Sequence, residues 1–197
     1  MVTTLAHFRP TDGQFRRAIR RAARARGHVY RALFPNTFAP RTRIGARLIL
    51  ENPGQIRVGE AVIVSHGCML ACAPPTSTSH PSITIGAKTF LNMGSVVASS
   101  MSGIRIGEDV LFGPHTLVVD SDHCFASSDL AVARQGMTDR GPIAIGDGAW
   151  VATGAVILGG TTIAAGSVVA ANSVVRGHFP HRCLLAGAPA RIVRELD

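Results

Sequence analysis

The sequence predicts a mainly β protein: a left-handed parallel β-helix preceded by an N-terminal amphipathic helix. Three observations carry this prediction. They are a gap-free run of six-residue repeats, the residue types that recur at three of the six positions, and an arginine-rich segment ahead of the repeats.

From Ile145 the chain divides into IGDGAW, VATGAV, ILGGTT, IAAGSV and VAANSV. The first residues, Ile145, Val151, Ile157, Ile163 and Val169, are β-branched aliphatics suited to a strand side chain that points into a packed interior. The fourth, Gly148, Gly154, Gly160, Gly166 and Asn172, are the residue types that most readily take positive φ, so each six ends a strand and turns a corner. The fifth, Ala149, Ala155, Thr161, Ser167 and Ser173, are small and fit beside a corner where backbones approach closely. A helix would need apolar residues three and four apart and would lose about 1 kcal/mol at each glycine. Period six therefore means three flat faces per coil, with coils stacked about 4.8 Å apart.

The same phase recurs from Val58, Ile85 and Ile106 and weakens towards the N-terminus. An aliphatic stands two residues upstream of several blocks, as in Ile56-Arg57-Val58, Ile83-Thr84-Ile85, Ile104-Arg105-Ile106 and Ile143-Ala144-Ile145. These read as register breaks, where loops leave the prism and return. The longest excursions span about residues 70–82 and 124–142, giving a β-helix domain over 44–197 and a basic arm over 1–43. The flat, weakly charged outer faces predict side-by-side packing around a threefold axis, hence a homotrimer.

The formal charge of +8 is concentrated in the arm. Residues 1–43 hold ten arginines against one acid, Asp12, a net +9 that leaves −1 for the remainder. The prism is therefore no nucleic-acid binder, despite the basic total. Within the arm, residues 13–34 place Phe15, Ile19, Ala22, Val29 and Leu33 on one helical face with arginines around the rest. Such a helix either caps the open end of the prism, or binds an acidic acceptor or makes a peripheral contact with an anionic membrane surface. Cys68, Cys72, Cys124 and Cys183 lie at irregular spacings without a zinc pattern, and Cys68 falls on a small inward position as a buried thiol. Unpaired cysteines, with no apolar run of about 18 residues, point to a cytoplasmic protein.

Chemistry is sought where a reactive side chain leaves a rigid scaffold. His123 ends the six VVDSDH at the start of the 124–142 excursion, with Asp120 and Asp122 beside it. Either aspartate could orient the ring or cap the turn, and the repeat phase puts Asp122 inward. Cys124 offers a rival, thiol-based route, although neighbouring strand residues point apart. His66, His80, His115, His178 and His181 complete the histidines considered. His115 and His123 weakly echo the zinc ligands of γ-class carbonic anhydrases, but the third ligand and its spacing are missing, so no metal is assigned.

From Ile85 to Leu196 the chain resembles the hexapeptide-repeat acyltransferases, most closely the galactoside, maltose and polysaccharide O-acetyltransferases. FLNMGSVV, IGEDVLFGPHTLVVDSDHCF, IGDGAWVATGAVILGGTTI and LLAGAPARIVREL carry the resemblance. It implies direct acyl transfer, with acetyl-CoA as co-substrate rather than bound cofactor, to a carbohydrate-type hydroxyl at sites between subunits. On this resemblance His123 is the general base, Asn92 bonds near the acceptor hydroxyl and the Thr153 amide receives the oxyanion. Trp150 lines the acceptor and pantetheine cleft, and Ala152, Ala170 and Ala171 let the pantetheine arm lie close to the backbone. Arg176, Arg191 and Arg194 meet the phosphates, although Gly177 stands where the family pattern has a lysine. Outward packing in the trimer is the alternative role for Trp150, and a polar turn that for Asn92. An amine acceptor and a non-enzymatic scaffold remain the two alternative functions.

Overall fold

The computed structural model describes residues 12–76 and 82–197. His80, part of the 70–82 excursion and the side chain of Phe15 lie outside the described residues. The sixes wind a left-handed prism with three parallel sheets as its faces. The first face stacks Arg43–Ile44, Ile63–Val64, Phe90–Leu91, Leu111–Phe112, Trp150–Val151, Val168–Val169 and Cys183–Gly187. On the second face are Ile49–Glu51, Met69–Cys72, Val96–Ser99, Leu117–Val119, Val156–Leu158 and Val174–Val175. The third face holds Ile56–Val58, Ile83–Ile85, Ile104–Ile106, Ile143–Ile145, Thr162–Ile163 and His178–Phe179.

First-position aliphatics form the core. Val64, Leu91, Phe112, Val151 and Val169 are fully or almost fully buried behind the first face, and Val97, Val118, Ile157 and Val175 behind the second. Where the sixes turn a corner without interruption, fourth positions sit at left-handed φ, including non-glycine residues: Ala61 (58°), Lys88 (59°), Asp109 (52°), His115 (57°) and Asn172 (57°). That conformation costs an L-residue about 1–2 kcal/mol, which the packed and hydrogen-bonded coil must offset. Fifth positions are buried, and small size is only half the reason. Thr89 Oγ1 donates to Gly107 O at 2.9 Å and accepts from Val110 N at 3.1 Å, while Ser167 Oγ accepts from Cys183 N at 3.1 Å. The inward hydroxyls thus satisfy backbone groups that the corner leaves unpaired.

The upstream aliphatics are not slack between loop and repeat. Ile56, Ile83, Ile104 and Ile143 are buried and stack in register, each opening a third-face strand that buries two side chains instead of one. The excursions leave earlier, at the corner between second and third faces. The strand Met69–Cys72 continues into what the sequence suggests is loop, because Leu70, Ala71 and Cys72 are all buried there.

Both ends of the prism are closed by the chain itself. After Gly187 the chain reverses, and Ala190–Glu195 pairs antiparallel with Cys183–Gly187. At the other end, helix Asp12–Leu33 packs across the first strand, where Gly27 is buried against the Thr42 carbonyl. Arg26 Nε donates to Ile44 O at 2.9 Å, satisfying an edge carbonyl, and Tyr30 packs edge-on against Phe38. The helix packs through Ala23, Gly27, Tyr30 and Phe34, not through the row predicted from its apolar residues. Ile19, Val29 and Leu33 are 50%, 55% and 65% exposed. The close approach required at Thr42 selects the glycine side of the helix.

Replacing Ile157 with Ala is expected to lower stability by about 3 kcal/mol, because stacked coils leave the cavity little room to collapse. Denaturant titration checks this, and a loss below about 1 kcal/mol would show that the coil relaxes around the gap.

Candidate functional site

Between the first and second faces the chain turns a corner whose third and fourth residues form their own ladder. Gly94 N donates to His66 O, His115 N to Met93 O, Gly154 N to Pro114 O and Asn172 N to Thr153 O, at 2.8–3.1 Å. This ladder brings Asn92, Ala152, Thr153, Ala170 and Ala171 onto one corner, spread over four successive coils. Trp150 stands two residues before Ala152 on the first face, between Leu111 and Val168 in register, and is 48% exposed.

Towards the C-terminal end of this corner the side chains are small, at Ala152, Thr153, Ala170 and Ala171. A Cβ on Gly113 would collide with the Thr153 backbone nitrogen, so the coil beneath Thr153 must present glycine. The Thr153 amide donates to none of the described residues. In the coil of Asn92, the equivalent amide, Met93 N, is taken by Asn92 Oδ1 at 2.8 Å. That bond uses the Asn92 carboxamide oxygen locally and leaves its nitrogen available. Further along the prism, the closing strand pairs Arg194 with Leu184 and Arg191 with Ala186. Leu184 is the next residue in register above Trp150's neighbour Val168, so Arg194 lies about 14 Å from the tryptophan level, three strand spacings away. Both arginines are exposed.

His123 occupies a different corner, between the second and third faces. Ser121–His123 leaves the prism as one arm of a two-stranded hairpin, pairing antiparallel with Met137–Asp139. Ser102 Oγ donates to Asp139 Oδ2 at 2.5 Å, tying the returning arm to the prism. The loop beyond is braced by Gln135, whose carboxamide accepts from Ser127 N and donates to Leu130 O. The His123 imidazole is exposed, without a hydrogen-bond partner among the described residues. Cys124 is only half-buried, whereas Cys68, Cys72 and Cys183 are buried free thiols.

The two aspartates beside His123 have separate tasks, and the inward one is Asp120, not Asp122. Strand alternation continues one residue beyond Val119, which breaks the six-residue phase and turns Asp120 into the core. Its carboxylate accepts from Ser99 Oγ (2.7 Å), Ser100 N (2.8 Å) and Gly103 N (2.8 Å), fixing the preceding loop. Burial, reinforced by the nearby Asp120 charge, pushes the Cys72 thiol up to about 11. Asp122 faces outward and accepts from Arg140 Nε at 2.9 Å and Arg176 Nη2 at 3.1 Å. Arg176 above all, with help from Arg140, holds the Asp122 carboxyl below the usual carboxylate range. Arg176 therefore clamps the root of the His123 hairpin and lies on the other corner from Arg191 and Arg194.

Within one chain, then, His123 and Arg176 sit at one end of the second face, while Asn92, Trp150 and Thr153 sit at the other. The intervening strand Val156–Leu158 spans about 10 Å. His115, singled out in the sequence only for a weak echo of zinc ligands, shares the corner of Asn92 and Thr153. Its ring lies over Gly94.

Residues 142–177 match the family model described as Bacterial transferase hexapeptide (six repeats). The matched stretch is the run of sixes that winds the C-terminal coils of the prism. No curated protein sequence matches it significantly. Among solved structures, a mutant of AntD, an N-acyltransferase from Bacillus cereus in complex with dTDP and coenzyme A, superposes with TM-score 0.71 at 16% identity, covering 86% of this chain and 88% of that one. Another AntD mutant, bound to dTDP-4-amino-4,6-dideoxyglucose and coenzyme A, gives 0.71 at 17%, covering 87% and 89%. A mutant perosamine N-acetyltransferase from Caulobacter crescentus, with CoA and GDP-perosamine, gives 0.56 at 23%, covering 88% of this chain and 66% of that one. At these identities the likeness is one of fold. It extends the hexapeptide-repeat prism well beyond the matched repeats.

Two consequences can be measured. Asp120→Ala leaves buried donors of Ser99 and Gly103 unpaired and should cost about 3 kcal/mol in a denaturant titration. Asp122 has a folded-state pKa below its unfolded value, so its contribution is present above the unfolded pKa and is lost as pH falls through the folded one. The Asp122 side-chain carboxyl carbon shift should therefore hold steady at neutral pH and move only in acid, below the usual carboxylate range, and Asp122→Asn should remove that transition.

Proposed function

We propose that this protein is an acyl-CoA-dependent acyltransferase acting on a carbohydrate-type acceptor. The observation that carries the reading is the unpartnered Thr153 amide, set beside Trp150 where the corner turns to Ala152, Ala170 and Ala171 and leads along the prism to Arg191 and Arg194. A CoA thioester suits that layout. Its pantetheine arm would lie along Ala152, Ala170 and Ala171, and its phosphates would meet the two arginines. The CoA-bound neighbours support the same donor.

In the reaction, the acceptor's nucleophilic atom attacks the thioester carbonyl while His123 takes its proton. The carbonyl oxygen becomes an oxyanion that accepts a hydrogen bond from the Thr153 amide. Collapse breaks the C–S bond, and the proton held by the imidazole passes to the departing thiolate. The products are acylated acceptor and free CoA thiol, with His123 neutral again. Since His123 and Thr153 stand on different corners, the site is complete only where the hairpin of one copy reaches the Thr153 corner of another. This favours a homotrimer with sites between subunits.

For the acceptor, the neighbours weigh towards an amine, because AntD and the perosamine enzyme are both N-acyltransferases, in complex with dTDP-4-amino-4,6-dideoxyglucose and GDP-perosamine respectively. A hydroxyl acceptor is the second reading. It is favoured by Asn92, whose free carboxamide nitrogen on the Thr153 corner matches the resemblance to galactoside and maltose O-acetyltransferases.

His123→Ala should reduce turnover about 1,000-fold with acetyl-CoA binding retained, while Cys124→Ala keeps full activity; the reverse pattern would sink the mechanism. Thiol release from acetyl-CoA, screened against nucleotide-linked amino sugars and plain glycosides, identifies the acceptor. Hydroxylamine then cleaves an ester product and spares an amide.

A further inference from the structure

The N-terminal helix has a surface that neither the prism nor the site uses. At 3.6 residues per turn, Ala18, Ala22, Ala25, Val29, Ala32 and Leu33 fall within about 100° of the helix circumference, on the side opposite Gly27. All six are exposed. Ile19, half exposed, extends this band along one border, where with Ala22 it also edges an open cleft against Gly45, Ile63 and His66 of the prism. The other border is basic, formed by Arg17, Arg21, Arg24 and His28, all exposed. None of the carboxylates among the described residues pairs with an arginine of this helix.

The basic border continues into the prism. A cleft of about 530 Å³ separates the helix from the first turns of the chain, with Arg24, His28 and Arg31 on one wall and Arg41 and Arg43 on the other. No carboxylate lines it, and Glu60 nearby is paired with Arg41 at 2.7 Å. A positive field around an outward apolar band is the pattern of a helix that lies in a membrane interface, with its apolar side among the acyl chains and arginines snorkelling to phosphates. Nucleic acid would use the charge but leave the band in water. A second copy of this chain could cover the band, but would bring further unpaired arginines alongside the first set.

We infer that helix Asp12–Leu33 docks the protein peripherally on an anionic lipid bilayer, with the Ala18–Leu33 band inserted and the bordering arginines on lipid phosphates. The helix covers the N-terminal end of the prism, so a trimer with its axis along the prisms would present three such helices on one side. The inference stands independently of acyl transfer.

Co-sedimentation of the full chain with vesicles tests it. Binding is expected to phosphatidylcholine vesicles carrying phosphatidylglycerol, not to phosphatidylcholine alone, and to weaken with added salt. Each arginine removed near an anionic leaflet lowers partitioning about five-fold, so R17Q/R21Q/R24Q should lose about 100-fold. V29D/L33D should abolish binding while leaving the oligomeric state, the thermal midpoint and turnover unchanged. Equal sedimentation with neutral and anionic vesicles would overturn the inference. So would V29D/L33D binding as the parent does, with duplex DNA competing fully, since simple polyanion adsorption would then account for it. A change of oligomeric state in V29D/L33D without lipid would instead assign the band to contact between copies.

Discussion

Every coil of this protein depends on one turn: a fourth-position residue at positive φ whose amide bonds to a third-position carbonyl of the coil beneath. Glycine or asparagine reaches this geometry at little cost, yet Ala61, Lys88, Asp109 and His115 are also held there. The surrounding coil over-determines them. Inward aliphatics above and below set the strand positions, and buried hydroxyls such as Thr89 satisfy the corner backbone. Local preference is therefore overruled by stacking wherever the two disagree, and the repeat persists where its glycines have been lost.

The prism divides its labour between corners. Excursions leave at the corner between second and third faces, and there the core turns polar: Asp120 is buried among amides of the loop it fixes. A carboxylate at this place anchors loops better than an aliphatic would, because it offers several acceptors at once. The corner between first and second faces carries no insertion within the described residues, and its alanines at 152, 170 and 171 leave backbone within reach of an elongated ligand. Rigidity and access sit on one corner, and the projecting histidine hairpin on the other. One chain separates the two, which makes assembly a requirement of the proposed chemistry.

The capping helix illustrates how a packing constraint redirects amphipathicity. Its largest apolar residues predict a buried row, but the close approach to the Thr42 carbonyl admits only the face with Gly27, and Tyr30 and Phe34 follow it inward. The apolar row is turned to the outside, where it becomes a surface to be explained rather than part of the core.

The sequence by itself determined the prism. Residue type at positions one, four and five states inward packing, corner and close approach, and these are local properties that repetition makes legible. The exposed positions of Trp150 and His123, and the buried thiol of Cys68, followed from the same phase. Tertiary structure alone decided that Asp120, not Asp122, faces inward, because strand alternation runs one residue past the break in the repeat. It also decided that Arg176 clamps the hairpin, that Ile56, Ile83, Ile104 and Ile143 open strands, and which side of the helix meets the prism. Each of these depends on contacts between residues distant in the chain, where a neighbouring coil rather than the local six selects the partner.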